Sequence, residues 1–260
     1  MDGKIYAIGG WNNAGDVSVV EMYDPPIDRW TKRADMPTAR TFLSASVVDG
    51  KIYVIGGSVS PNALEEHAVK IVEAYDPATN TWSRKADMPT ARKGLATSVV
   101  NGKIYAIGGG FIDFVGGQVK RWEVLSTVEM YDPQADTWTL QTPMPTRRWL
   151  LSTAVVDAKI YALGGWSGIT NLANVRSTVE IYTPATDTWT KGADMPDPRG
   201  SMGASAISGK IYVIGGQADF VGGGPVFSTV MEYDTGFKEP PSVVNPAGKL
   251  AILWGKLKAQ

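Results

Sequence analysis

One eight-residue motif occurs five times along the 260 residues of this chain. It reads GKIYAIGG or a close variant, and its copies end in Gly-Gly pairs at 9–10, 56–57, 108–109, 164–165 and 215–216. β-Branched and aromatic residues favour a strand, and paired glycines end it because they accommodate backbone conformations that other residues avoid. Self-similarity at a period of about fifty residues predicts an array of repeated supersecondary units.

The rest of each unit is spaced just as regularly. A tyrosine and a tryptophan lie seven residues apart in four copies, as at Tyr75 and Trp82, and Pro89 and Arg92 follow in register. The next Gly-Gly pair begins thirty-three residues after each of these tyrosines. All length variation lies between the Gly-Gly pair and the tyrosine, where the gap ranges from thirteen to twenty-two residues.

Turn signals divide each unit into four predicted strands. Strand a is the small-residue stretch after the arginine (41–48 in the second unit), and strand b is the repeated motif. Strand c contains the Glu-x-Tyr-Asp-Pro segment (126–133 in the third unit), and strand d begins at the tryptophan. Four sequential antiparallel strands per unit are typical of a propeller blade.

Paired glycines that end a strand, Tyr and Trp seven residues apart, and then Met-Pro and Arg make the sequence resemble the kelch-repeat family over residues 1–234. The resemblance implies a β-propeller whose blades pack around a central channel. We therefore predict an all-β fold, a five-bladed propeller with four antiparallel strands per blade, and a single domain over residues 1–260. The recurring tyrosines and tryptophans are predicted to pack blade against blade.

Ring closure is the open question of this fold prediction. Blade one lacks strand a, and blade five lacks strand d after Tyr233. The sequence from Pro246 to Lys249 matches the sequence from Pro37 to Arg40, with lysine at the arginine position. We therefore predict that residues 235–260 close the ring, with 250–254 as the innermost strand of blade one, and that the closed ring is a monomer. The alternative is a piece of a six- or seven-bladed ring with open edges.

Composition and motifs argue against several functions. The formal net charge is −1 with scattered basic residues, which does not predict nucleic-acid binding, and no apolar run approaches the roughly 18 residues of a membrane span. The chain has no cysteine and one histidine, His67, so we expect no metal site and no cofactor. Without a nucleophile motif such as G-x-S-x-G, we expect no enzymatic activity.

Candidate binding residues come from the variable b–c loops and from the d–a connections, which lie at the same end of every blade. Aromatic rings and arginine are favoured in such sites because they supply contact area and forked hydrogen-bond donors. Trp149 is singled out because the other units have no tryptophan there, whereas the recurring arginines also fit a structural role. The candidates on the rim and channel mouth are Trp11, Arg121, Trp122, Trp166, Trp149, Arg40, Arg92, Arg148 and Arg199.

Two functions follow from this face. The first is a non-catalytic scaffold that binds a protein or peptide partner through the long-loop face. The resemblance implies an alternative, a carbohydrate-binding or sugar-isomerising (mutarotase-like) propeller, with tryptophans stacking on a sugar and Asp113 or Asp219 moving protons. Asp113 and Asp219 head the related segments DFVGG of blades three and five, where Phe114 and Phe220 are expected to fold inward. The close repetition also fits a recently amplified array without a present ligand.

Overall fold

The computed structural model describes residues 3–62, 65–116, 118–168, 174–218 and 224–237. The chain forms an all-β, five-bladed propeller of antiparallel sheets, as predicted. In chain order the strands are β1 (Ile5–Ile8), β2 (Trp11–Asn12), β3 (Gly15–Asp16), β4 (Val20–Asp24), β5 (Arg29–Lys32), β6 (Ser44–Val48), β7 (Lys51–Ile55), β8 (Ser58–Asn62), β9 (Glu65–Ala68), β10 (Val72–Asp76), β11 (Thr81–Arg84), β12 (Ala96–Val100), β13 (Lys103–Ile107), β14 (Gly110–Val115), β15 (Gln118–Val124), β16 (Val128–Asp132), β17 (Thr137–Gln141), β18 (Ser152–Val156), β19 (Lys159–Leu163), β20 (Val179–Thr183), β21 (Thr188–Lys191), β22 (Gly203–Ile207), β23 (Lys210–Ile214) and β24 (Val230–Asp234). A short 3₁₀ helix, Pro25–Ile27, joins β4 to β5.

Blades two, three and four each contain the four predicted strands, in the spatial order a-b-c-d. Their sheets are β6-β7-β10-β11, β12-β13-β16-β17 and β18-β19-β20-β21. Blade one is β1-β4-β5 and blade five is β22-β23-β24, so within the described residues they lack strands a and d, respectively. The predicted closing segment lies outside the described residues from 238 onward, and closure at five blades therefore stays a prediction.

Strand a begins three residues later than predicted, at Ser44 rather than Thr41 in blade two. The backbone of Phe42 has a φ of 51°, in the left-handed region that interrupts a strand. Thr41 instead forms an isolated bridge with Ser58. The residues at the position of Phe42 are linked from blade to blade by backbone hydrogen bonds, from Gly94 N to Phe42 O, Leu150 N to Gly94 O and Ser201 N to Leu150 O, at 2.9, 2.6 and 2.9 Å.

The core lies between consecutive blades. Ile55 and Val72 of blade two, for example, pack with Ile104 and Tyr131 of blade three. The recurring tyrosines Tyr75, Tyr131 and Tyr182 are fully buried. In blades two, three and four the strand-d tryptophan is partly buried and donates its indole N–H to a carbonyl of the preceding blade; the pairs are Trp82 with Ala34, Trp138 with Ala86 and Trp189 with Thr142. Trp30 of blade one is 52% exposed.

Candidate functional site

The long b–c loops of blades one to three fold into β-hairpins that join one another. β8 and β9 of blade two pair with β14 and β15 of blade three as a four-stranded sheet in the order β8-β9-β14-β15. The link between blades is the pairing of Glu66 with Phe114. The β2-β3 hairpin of blade one meets this sheet where the Asp16 carboxylate accepts a 2.6 Å hydrogen bond from the Ser60 backbone N–H. We call these three hairpins the rim wall.

An ion pair with a buried lysine fixes the rim wall to the blades below it. The Lys93 ammonium lies 2.5 Å from Glu66 Oε1, and the Lys93 side chain is almost completely buried. Ser58 donates a second hydrogen bond, of 2.7 Å, to the same carboxylate oxygen. Because a buried ammonium needs a charged partner, Lys93 holds β9 in a defined place. Sequence reasoning did not select this pair, although Lys93 stands at the position where other units have threonine, tryptophan and glycine.

Trp149 and Trp166 lie beneath the rim wall rather than on it. Both side chains are at most 2% exposed, and they pack with Ile112 of β14 and Val124 of β15 in an apolar cluster. Their backbones exchange two 2.9 Å hydrogen bonds, N–H to O in each direction. This corrects their assignment to the ligand-facing rim: the two side chains support the blade-three hairpin. Trp149 is unrepeated because the cluster that it fills is unrepeated.

The recurring arginines are also enclosed. Arg92 is fully buried, and its guanidinium donates to the carbonyls of Gly108 and Thr127 in the following blade, at 3.0 and 2.8 Å. Burial lowers the pKa of Arg92 to about 10, although the Glu129 carboxylate opposes that shift. These arginines join consecutive blades, which corrects their placement as ligand-binding groups at an open mouth. The buried ion pairs are Arg40–Glu73, Arg92–Glu129 and Arg148–Glu180, at 2.7, 2.8 and 2.7 Å.

Arg199 has a different set of neighbours. Its guanidinium donates to Gly215 O at 3.0 Å and to Thr229 Oγ1 at 3.2 Å. It also lies over the Phe227 ring, 3.9 Å from the centroid, and 3.3 Å from a carboxylate oxygen of Asp197. The side chain is fully buried. Arg199 therefore has the same structural placement as the other three arginines, with an aromatic ring and a nearby aspartate in place of the buried glutamate.

Three of the predicted site residues are exposed on the rim wall. Trp122 is 49% exposed on β15, close to Val119, and Trp11 is 64% exposed on β2. Arg121, also on β15, lies with its guanidinium 4.8 Å from the centroid of the Phe111 ring. Cation–π contact of this kind holds an arginine in place while its edge remains accessible. The outer strand of the rim wall therefore exposes Trp122 and Val119 on the face of Ile112 and holds the Arg121 guanidinium on the opposite face, because successive side chains of a strand point to opposite sides.

Some predictions on this face involve residues that the structure does not describe. Asp219 and Phe220 lie outside the described residues, as do the side chains of Asp113 and Phe114. His67 is partly exposed on β9, with Nε2 3.9 Å from Glu65. Within the described ranges there is no group of three or more metal-ligating side chains, and no helix long and apolar enough to cross a bilayer.

Comparisons with known proteins agree on one family of sequences. The profile described as "KLHDC2/KLHL20/DRC7 Kelch-repeats domain" matches residues 1–165, and the Kelch motif matches residues 150–196 and 198–239. Kelch-like protein 35 of Mus musculus is 30% identical over 232 residues, which is 89% of this chain and 36% of that protein. Kelch-like protein terF of Aspergillus terreus is 31% identical over 229 residues, 83% of this chain and 48% of that protein.

The chain thus spans about a third to a half of the length of these relatives. Among solved structures, one described as "Structure of YjhT" superposes with a TM-score of 0.69 at 20% sequence identity. The match covers 83% of this chain and 70% of the other. At that identity the likeness concerns the fold alone.

Proposed function

Because this chain belongs to the kelch-repeat family, whose members commonly mediate protein interactions, we propose that it is a non-catalytic scaffold for a protein or peptide partner. The partner binds at the rim wall, on the end of the propeller that carries the b–c loops and the d–a connections. One observation carries this proposal: the edge strand β15 exposes two large apolar side chains, Trp122 and Val119, on the same face.

Rigidity supports the same conclusion. Glu66 of the rim wall is tied to the buried Lys93, and the cluster around Trp149 and Trp166 lies directly under β14 and β15. A hairpin that is already ordered loses little conformational entropy when a partner binds, so its exposed groups contribute more fully to affinity. Trp and Arg side chains in such settings dominate the binding energy of many interfaces.

A selection experiment tests this proposal even though the partner is unidentified. Random peptides displayed on phage are selected against the native protein, and the enriched sequences are then measured against two variants. We expect Trp122→Ala to weaken peptide binding by about thirtyfold, as for a central hot-spot residue. Leu140→Ala is the matched control, because Leu140 is a large exposed apolar residue on the outer strand of blade three. Peptides that bind both variants equally would contradict the rim-wall proposal.

The carbohydrate alternative rests on fewer residues than the sequence suggested. Of the four tryptophans proposed to stack on a sugar, only Trp11 and Trp122 are exposed. Tryptophan fluorescence measured against a panel of sugars separates the two functions. A saturable change with one sugar that is lost in Trp122→Ala would favour carbohydrate recognition, whereas a flat response to every sugar favours the peptide scaffold.

A further inference from the structure

A cleft of about 520 Å³ opens between blades one and two, at the end of the molecule that carries the short a–b and c–d turns. Lys4, Tyr6, Met22 and Arg33 of blade one line one side. The other side is formed by the turns of blade two, at 49–51 and 76–78. The volume is in the range of small-molecule sites, and the cleft lies at the opposite end of the strands from the rim wall.

Most charges around the cleft are balanced within their own blade. Lys4 is paired with Asp24 on the neighbouring strand of blade one, and the Lys51 ammonium lies 3.3 Å from Asp76. Asp49 is exposed at the tip of its turn, where solvent and salt screen its charge. Arg33 is therefore the cation in the cleft wall that has no ion pair among the described residues.

The Arg33 guanidinium is half-buried in the cleft wall, with Nη2 3.1 Å from Met22 Sδ. No carboxylate among the described residues lies within ion-pair distance of it. A thioether sulfur is a weak acceptor, so the forked N–H donors of Arg33 have no strong partner among the described side chains.

The junction of blades two and three has a carboxylate where the junction of blades one and two has an amide. Lys85 there has the sequence position of Arg33, three residues after the strand-d tryptophan. Hydrogen bonds from Tyr131 and from the Ala86 backbone N–H, with a contribution from the charge of Lys85, lower the pKa of Asp136. At the junction of blades one and two the residue equivalent to Asp136 is Asn80.

Asn80 keeps the hydrogen bonds of Asp136 without its charge. Its Oδ1 accepts from Tyr75 OH at 2.7 Å and from the Ala34 backbone N–H at 2.9 Å. The hydrogen bonds of the junction are thus preserved, and Asn80 brings no negative charge to the side of the junction that carries Arg33.

We propose that this cleft binds a small aromatic carboxylate. The carboxylate supplies the negative charge that Asn80 lacks and accepts two parallel N–H bonds from Arg33, the arrangement in which arginine recognises carboxylates best. The ring lies against Tyr6 and Met22, since aromatic edges and thioether sulfur make favourable contacts. This site is separate from the rim wall and does not depend on the scaffold function.

Benzoate is the probe, and its binding to the native protein is measured by isothermal titration calorimetry and by saturation-transfer NMR. We expect a single site whose affinity falls at least about tenfold in Arg33→Gln. The matched control, Lys85→Gln, removes the equivalent cation of the next junction and should bind benzoate as the native protein does. Circular dichroism melting curves establish that each variant is folded.

Asn80→Asp is the second arm, and it adds a group instead of removing one. The new carboxylate supplies Arg33 with an internal partner and should weaken benzoate binding by a similar factor. The proposal is overturned if the native protein gives no saturable binding, if Arg33→Gln binds unchanged, or if Lys85→Gln loses as much affinity as Arg33→Gln.

Discussion

Two substitutions occur together at the junction of repeat units four and five and change how the buried Arg199 is neutralised. In the three preceding junctions a threonine hydroxyl and the arginine share one buried glutamate, as Thr90 and Arg92 share Glu129. At the last junction Asp197 replaces the threonine and Met231 replaces the glutamate. The carboxylate near Arg199 is therefore on the same d–a connection as the arginine, not on strand c of the next blade, and it is 56% exposed. Arg199 is consequently tied less firmly to blade five.

This difference predicts unequal costs for removing the two carboxylates. Glu129→Gln leaves the buried Arg92 without a counter-charge, and we expect a loss of about 3–5 kcal/mol in the free energy of unfolding. Asp197→Asn should cost less than about 1 kcal/mol, because the Asp197 carboxylate is 56% exposed and screened by solvent. Arg199 also keeps its contacts with Gly215, Thr229 and Phe227. The free energies of unfolding of both variants are measured by urea unfolding. Similar losses would show that the buried Glu129 does not stabilise the protein more than the exposed Asp197 does.

The buried tyrosines predict a fall in stability at alkaline pH. Burial, followed by the hydrogen bond to Asp136, raises the pKa of Tyr131 above its ordinary value of 10.0. Above about pH 10 the unfolded chain releases a proton that the folded protein retains, so the free energy of unfolding decreases as pH rises. Tyr131→Phe should be less stable at neutral pH and lose stability more slowly above pH 10. Parallel curves for the two proteins between pH 8 and 11 would contradict this.

At the level of elements, the strands of the blades could be predicted from the sequence, and the pairing of the loop hairpins into the rim wall could not. Strands such as β13 and β16 follow from β-branched residues bounded by glycine and turn signals, which are local properties. The rim wall depends on the pairing of β9 with β14 between blades and on the ion pair between Lys93 and Glu66, which are contacts between distant segments. For the same reason Trp149 looked like a ligand residue: an unrepeated side chain can serve an unrepeated core as well as a partner.

Gly200→Ala tests that unrepeated core. A Cβ at Gly200 would lie 2.0 Å from the Trp166 ring, which is buried and has no room to move. We expect a loss of about 1–3 kcal/mol, the usual cost of overpacking, and a shift in tryptophan fluorescence. Gly203→Ala is the matched control, because a Cβ there meets nothing closer than 4.0 Å. An unfolding free energy that is unchanged in Gly200→Ala would contradict the described position of Trp166.

At the scale of the whole molecule, the sides of blades one and five that face away from the inner blades are more exposed than the matching sides of the inner blades. Ile5 of blade one is 42% exposed, whereas Ile52 at the same position in blade two is 3% exposed. Ile214 of blade five is 54% exposed, whereas Ile55 is fully buried. The described residues of the two end blades therefore leave apolar surface that inner blades cover. The ring closure predicted from the sequence would place residues 235–260 against this surface.

A charge exchange tests closure at the residue that should meet the closing segment. Glu21 has the repeat position of the buried Glu73 but is exposed among the described residues, and Lys249 has the sequence position of the arginine that pairs with such a glutamate. If residues 235–260 close the ring, Glu21→Lys and Lys249→Glu should each lower the melting temperature, and the double variant should recover much of the loss. Removal of residues 245–260 should then cost at least about 3 kcal/mol, because apolar side chains such as Ile5 and Ile214 would return to water. Single variants that melt like the native protein, together with a truncated chain of unchanged stability, would mean that the faces of blades one and five are covered by something other than this segment.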